Sequence, residues 1–217
     1  MSSAVRLRHV RVSLALQRLR EGDGPALLIL HGLGERSPAS VPEWATGWPG
    51  SINGLDFTGH GDSEVPAGGG YTSEVLMGDV DTALAHLGPA TVVGRGLGAY
   101  VALLIAGARP ELVRGAVLAD GPGLAGGGPA PGSPYVGSPA AAGDRTPDPF
   151  ALLELSRDLR PPDYATSFAR QAISLSDLAD PITVAALVRP DWLAAVAAEP
   201  GVQEATVTEA LGHYARL

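Results

Sequence analysis

The chain has 217 residues, of which 45% are hydrophobic, and its formal net charge is −8 at pH 7. This length suits one compact α/β domain with a sizeable core, and the acidic balance argues against a nucleic-acid partner. The sequence contains no cysteine and no lysine, which excludes disulfides, thiolate nucleophiles, zinc–thiolate sites, P-loop lysines and Schiff-base lysines.

The sequence also predicts a cellular location. It contains no stretch of about twenty apolar residues and no signal-peptide segment, so we expect a cytoplasmic protein that does not contact a membrane. We expect neither a metal ion nor a cofactor.

The hydrophobic pattern predicts strands that alternate with helices. Alternating apolar residues predict an antiparallel pair of strands over residues 5–12 and 14–19. Short apolar runs predict further strands over residues 25–30, 51–57, 90–93, 113–119, 182–188 and 202–210. Helical spacing predicts helices over residues 76–87 (capped near Thr72 or Ser73), 99–108 and 192–199, and two weaker ones between 149 and 178.

This order of elements indicates the α/β class. Strands that alternate with helices imply a mostly parallel, twisted sheet of about eight strands with helices on both faces. Residues 1–217 are predicted to form a single domain. Residues 121–149 are rich in glycine, proline, alanine and serine, which predicts a loop.

One turn in this series fits two different motifs. Residues Gly94 to Ala99 read GRGLGA, which matches the dinucleotide fingerprint G-x-G-x-x-G/A, and Asp120 after the next strand could then hold a ribose hydroxyl. The same residues match the nucleophile elbow G-x-S-x-G, with Gly96 at the serine position. The dinucleotide fingerprint usually opens its sheet, whereas about four predicted strands precede this turn.

The neighbouring strand ends favour the elbow. His31-Gly32 follows the third predicted strand, and DFTGHGDS, residues 56–63, follows the fourth. With the elbow after the fifth strand, these motifs resemble those of the α/β-hydrolase superfamily in order and spacing. The resemblance is closest to the small, lidded group of esterases, haloperoxidase-like enzymes, C–C bond hydrolases and epoxide hydrolases.

The resemblance implies a set of site residues. Asp191, after the strand over 182–188, matches the catalytic acid, and His213, after the last strand, matches the catalytic base. Asp120 is an alternative acid, because some members take the acid from the preceding strand end. Leu33 and Leu97 would supply the two backbone N–H groups of the oxyanion hole.

The sequence departs from the family pattern in several places. Gly96 leaves no hydroxyl at the nucleophile position, and the chain ends four residues after His213, so we expect the usual closing helix to be missing. A sheet face left uncovered in this way would favour a homodimer. The insert over about residues 121–178 corresponds to a short lid.

Three functional hypotheses follow from these residues. The first is a hydrolase-like protein without serine-esterase turnover, either a natural pseudo-hydrolase that binds a small apolar ligand or ester-like molecule, or a Ser-to-Gly variant. The second is a non-covalent enzyme that uses a His213–Asp191 or His213–Asp120 dyad for lyase chemistry, proton abstraction or direct water attack. The third is a dinucleotide-binding domain.

Overall fold

A single sheet of eight strands forms the centre of the computed structural model, which describes residues 3–130 and 145–217. The strands are β1 (Ser3–His9), β2 (Val12–Arg20), β3 (Ala26–Leu30), β4 (Ile52–Asp56), β5 (Ala90–Arg95), β6 (Val113–Ala119), β7 (Ile182–Val184) and β8 (Val202–Glu204). Their order across the sheet is β1-β2-β4-β3-β5-β6-β7-β8. The β1–β2 and β2–β4 pairs are antiparallel, and every later pair is parallel.

Helices cover both faces of this sheet. They are α1 (Ser73–Leu87), α2 (Leu97–Ala108), α3 (Pro149–Arg157), α4 (Pro162–Leu175), α5 (Asp191–Ala197) and α6 (Val207–Tyr214). None of these helices, over residues 3–130 and 145–217, has the length and apolar character that crossing a bilayer requires.

The two faces of the sheet carry two separate cores because successive side chains of a strand point in opposite directions. Along β3, Leu28 and Leu30 join the larger core, which also contains the buried side chains of α1, α2, α4 and α5. Leu27 and Ile29 face the other way and join the smaller core beneath α6. The predicted α/β class and the mostly parallel eight-stranded sheet are therefore confirmed.

Several local predictions are also confirmed. The side chain of Thr72 caps α1 by accepting a hydrogen bond from the backbone N–H of Val75. The antiparallel pair forms at the amino end of the chain, although its turn lies at Val10-Arg11, so the two strands are shifted from their predicted bounds. The strand over 113–119 and the paired helices after residue 149 are present, whereas residues 131–144 of the predicted insert lie outside the described residues.

The seventh strand is shorter than predicted. It ends at Val184 rather than residue 188, because the chain turns toward the carboxylate of Asp120. That carboxylate accepts hydrogen bonds from the N–H groups of Leu187 (2.7 Å) and Val188 (3.0 Å), which cannot then pair with a strand. The Leu187 side chain is 90% exposed, so it contributes nothing to the core.

The prediction of a strand over 202–210 is wrong beyond Glu204, because a capping box starts α6. The Thr206 side chain accepts from the backbone N–H of Glu209, and the Glu209 carboxylate accepts from the backbone N–H of Thr206 at 2.9 Å. The T-x-x-E spacing that marks such a box is visible in the sequence. The apolar residues at 202, 205 and 207 suggested a strand instead.

The prediction of a missing closing helix is wrong for the same reason. α6 packs on the smaller core through Ala210, Leu211 and Tyr214, so this face of the sheet is covered. The argument for a homodimer through an uncovered face therefore loses its basis.

Candidate functional site

The turn between β5 and α2 has the backbone of a nucleophile elbow. Gly96 adopts φ 59° and ψ −122°, a region that residues with a side chain enter only under strain, and its N–H donates to the carbonyl of Ala119. Glycine enters this region without steric penalty. The sharp turn is therefore kept, while the hydroxyl that would make it a nucleophile is absent.

The histidines His31 and His60 are buried, and each holds a backbone carbonyl near its own ring. His31, at the end of β3, donates from Nδ1 to the carbonyl of Gly32 (2.7 Å) and accepts from the N–H of Phe57 (3.1 Å). Burial lowers its pKa to about 3, and burial also lowers the pKa of His60, whose Nδ1 lies 3.1 Å from the carbonyl of Thr58. Both imidazoles are therefore neutral at pH 7. Both ring nitrogens of His31 are paired with the backbone, whereas Nε2 of His60 is buried without a hydrogen-bond partner in the described part of the chain.

The hydroxyl groups near the elbow also serve the fold. Ser63 Oγ donates to the backbone carbonyl of Asp56, and Thr58 Oγ1 donates to Asp79. Asp56 also accepts hydrogen bonds through its side chain. Burial raises the pKa of this carboxyl, but the hydrogen bonds from donors that include the N–H groups of Asp62 and Ser37 outweigh burial, so the pKa is lowered overall. None of these hydroxyls takes the place of the missing nucleophile.

The two N–H groups predicted to form an oxyanion hole converge on one oxygen. The carbonyl oxygen of Pro122 accepts from Leu33 N at 3.0 Å and from Leu97 N at 2.9 Å. An oxyanion hole holds its oxygen at about 2.7–3.1 Å from each donor. The two N–H groups are therefore already paired with the chain's own backbone, at distances that an oxyanion hole would also show.

The same carbonyl also fills the space of a nucleophile side chain. A Cβ atom built on Gly96 would lie 2.1 Å from the Pro122 oxygen and 2.6 Å from the Gly121 carbonyl carbon. Both contacts are with backbone atoms, which cannot rotate away as a flexible side chain can. Residue 96 must therefore be glycine for the chain to follow its present path.

Contacts on both sides hold residues 120–124 over the elbow, and we call these residues the 120–124 segment. Asp120 binds the N–H groups after β7, as described above. Arg160 donates from Nη1 to the carbonyl oxygens of Gly123 and Leu124, each at 2.6 Å, and Trp192 Nε1 donates to Leu124 at 2.9 Å. The segment is therefore anchored before and after Pro122.

The structure does not bring the predicted acid and base together. Asp191 is the exposed first residue of α5, and neither it nor Asp120 forms a hydrogen bond or ion pair with His213 in the described part of the chain. His213 lies in the last turn of α6 rather than in a loop after β8.

The end of α6 lies at the opposite edge of the sheet from the elbow. Tyr214, next to His213, donates to the carbonyl of Asp180, which precedes β7, and its ring lies against Gly115 near the start of β6. The elbow lies beside Ala119 at the other end of β6, four residues or about 13 Å further along the strand.

Structural comparison identifies the fold. The chain is similar over its full length to a thioesterase domain from the curacin biosynthetic pathway, with 15% sequence identity, 98% of that chain covered and a TM-score of 0.69. It is also similar to a bacterial membrane phospholipase A described as a virulence factor, with 15% identity, 98% of this chain and 84% of the other covered, and a TM-score of 0.54. No protein-family model and no curated protein sequence matches the chain.

The chain has the α/β-hydrolase fold. The turn that contains Gly96 follows the fifth strand and leads into α2, as the nucleophile elbow does in this fold.

Two residues that shape the surroundings of this turn were missed by sequence reasoning. Pro122 acts through its carbonyl oxygen, which every residue has, so no sequence pattern marks it. Arg160 is 1% exposed although it lies between two helices in a polar stretch, DLRPPD. The only available signal was its place in the insert that follows the sixth strand.

The assembled site offers little chemistry as it stands. It has a sharp turn without a hydroxyl, two convergent N–H groups that hold a backbone carbonyl, and two neutral histidines whose Nδ1 groups face backbone oxygens. The first N–H of α2 is also taken by Pro122, so this helix end does not present Leu97 N–H to a phosphate.

Proposed function

We propose that this protein is a pseudo-hydrolase, a non-catalytic protein of the α/β-hydrolase fold that binds a small, largely apolar ligand. The observation that carries the proposal is the Pro122 carbonyl, which accepts from both oxyanion-hole donors and occupies the volume of a residue-96 side chain. Acyl transfer through this elbow needs a hydroxyl and a free oxyanion hole.

The alternative is a serine hydrolase whose nucleophile was replaced by glycine. In such a variant the rest of the machinery should persist, including a base near the elbow and an empty oxyanion hole. The position of His213 in α6 and the contacts of Pro122 both favour the pseudo-hydrolase.

The proposal is tested with a fluorophosphonate probe and with short-chain p-nitrophenyl esters. We expect no labelling and no hydrolysis above the rate of the heat-denatured protein. Labelling at any residue, or saturable ester turnover, would overturn the proposal. His213→Ala is the informative variant in that case, because lost turnover would point to the dyad enzyme.

A further inference from the structure

The proposed function needs a place for the ligand, and the elbow does not provide one. The carbonyl oxygen of Pro122 already accepts from Leu33 and Leu97 and fills the space beside Gly96. In open α/β sheets, ligands bind at the carboxyl ends of the strands. A cavity of about 170 Å³ lies at this edge of the sheet, at the ends of β3, β5 and β6.

This cavity lies at the border of the smaller core. Its floor is formed by Ile29 and Val93, which belong to that core and are 4% and 3% exposed. Its walls include Trp44, Ala119 and Val207, which are half-buried. The cavity therefore combines an apolar floor with walls that keep part of their surface open.

The cavity exists because the cover of the smaller core is incomplete here. Between β3 and β4 the chain forms one turn of 3₁₀ helix, Glu43–Ala45, and α6 begins at Val207. Trp44 comes from the first element and Val207 from the second, and each packs against the smaller core. Arg95 also lines the cavity, and its side chain is 48% exposed, so the opening between the two elements reaches solvent.

The charged groups at this cavity are already paired. Arg95 forms an ion pair with Glu35, and the Asp120 carboxylate accepts from the N–H groups of Leu187 and Val188. A charged ligand would meet one charge of each sign, neither of which is free, and would lose hydration without compensation. An uncharged ligand avoids this cost and gains from the burial of apolar surface.

The size and the walls of the cavity indicate a ligand with one ring. In another protein, an apolar cavity of about 150 Å³ is large enough to bind benzene. Trp44 supplies an aromatic wall, and aromatic pairs gain more than their buried area alone would give. We propose that this cavity binds a small, uncharged molecule with one aromatic ring, packed between Trp44 and Val207 over Ile29 and Val93. The inference rests on the proposed ligand-binding function, since it names the ligand class and its place.

Fluorobenzene is a suitable probe, because its fluorine reports binding to the whole chain by ¹⁹F NMR. We expect saturable binding at millimolar concentration. The anion 4-fluorobenzoate has the same ring and should bind roughly tenfold or more weakly. No saturable binding of fluorobenzene, or equal or tighter binding of 4-fluorobenzoate, would overturn the proposal.

Two alanine variants locate the ligand. Ala119→Leu should abolish binding, because residue 119 projects to the same face of β6 as Val117 of the smaller core and the added atoms enter the cavity. Ala215→Leu is the matched control, since residue 215 lines a neighbouring cavity of about 310 Å³ that also contains Trp44. It should leave binding unchanged. Loss of binding in Ala215→Leu with binding kept in Ala119→Leu would place the ligand in the neighbouring cavity and overturn the proposal.

A measurement on the unchanged chain applies even where Ala119→Leu does not fold. Intermolecular NOEs should connect the ring protons of fluorobenzene with the methyl groups of Val93 and Val207. NOEs to Leu211, which lines the neighbouring cavity, in place of these would overturn the proposal. Fluorobenzene binding concerns this cavity and ester turnover concerns Gly96, so failure of one proposal is distinguishable from failure of the other.

Discussion

The carbonyl oxygen of Pro122 lies 2.1 Å from the position that a Cβ of residue 96 would take. This oxygen and a side chain at residue 96 therefore cannot be present together. The same oxygen accepts hydrogen bonds from the N–H groups of Leu33 and Leu97. One backbone carbonyl thus occupies the space of a residue-96 side chain and the point on which these two N–H groups converge.

Gly96→Ser should lower stability without creating an esterase. The positive φ costs a residue with a side chain about 1–3 kcal/mol, and the overlap with Pro122 adds to that cost. For a chain of this size we expect a fall in Tm of roughly 5–10 °C, measured by differential scanning calorimetry. Gly96→Ala is the matched control, because it adds the same Cβ without the hydroxyl. Its Tm should fall by a similar amount. Ester hydrolysis by the serine variant alone would show that the 120–124 segment yields and that a base is within reach.

The amide of Leu97 should exchange slowly with solvent. The first N–H of a helix normally lacks a partner within that helix, but this one donates to Pro122 at 2.9 Å and its residue is fully buried. The amide of Asp191 is a matched control, since it is the first residue of α5 and is exposed. Hydrogen exchange measured by NMR should show strong protection at Leu97 and Leu33 and little at Asp191. Fast exchange at Leu97 would mean that the oxyanion hole is open in solution.

Asp120→Asn should loosen the chain after β7. The carboxylate holds two N–H groups, and hydrogen bonds to a charged acceptor contribute about 1.5–3 kcal/mol when intact. Asparagine keeps one acceptor oxygen, so we expect the free energy of unfolding, measured in urea, to fall by about 1–3 kcal/mol. Amide exchange at Leu187 and Val188 should also become faster. Asp81→Asn, which breaks an exposed ion pair with Arg109, should cost less than about 1 kcal/mol. Equal losses for the two variants would contradict an anchoring role for Asp120.

Stability should fall as the pH drops below about 6.5, the usual pKa of histidine. Burial lowers the pKa of His31 to about 3 and also lowers that of His60, so the unfolded chain takes up protons that the folded chain does not. Between the pKa of the unfolded state and that of the folded state, each such histidine lowers the free energy of unfolding by at most about 1.4 kcal/mol per pH unit. Urea unfolding at a series of pH values between 8 and 4 measures the decline, and constant stability across that range would contradict it.

His9 should oppose this decline. Its hydrogen bond to the buried Asp79, 2.7 Å long, raises its pKa, so its contribution is complete below pH 6.5 and is lost as the pH rises through the raised value. His9→Gln should therefore destabilise the protein more at pH 6 than at pH 8.5, and the measurement at the higher pH is the internal control. A loss that does not depend on pH would assign His9 a purely packing role.

The sequence predicted those parts of the site that depend on strand ends and tight turns. The motifs at His31, Asp56 and Gly96 each follow a buried strand, and parallel strands bring their carboxyl ends to one edge of the sheet. The position of Gly96 in the elbow follows from local chemistry alone. This is why fold class and elbow were both accessible without a structure.

The rest of the site depends on contacts between distant residues, which no local pattern records. Pro122 meets Leu33 across 89 positions of the chain, and Arg160 meets Gly123 across 37. The misplaced His213 has a different cause, since the capping box at Thr206 and Glu209 is visible in the sequence but the apolar residues of 202–210 indicated a strand. The T-x-x-E spacing marks the start of a helix that includes His213.

Because the Pro122 oxygen lies where a Cβ of residue 96 would be, no single substitution can place a nucleophile at this position. A serine there cannot coexist with the present path of the backbone through Gly121 and Pro122. A catalytic site at this turn would need that backbone to be rerouted and, in addition, a histidine near the start of α6, at Ala205 or Thr206. The neighbouring Val207 lines one cavity with Arg95 and Asp120. Mutational screens that change one residue at a time should therefore never convert this protein into an esterase, whereas a library that varies residue 96, the 120–124 segment and residues 205–206 together has a physical route to one.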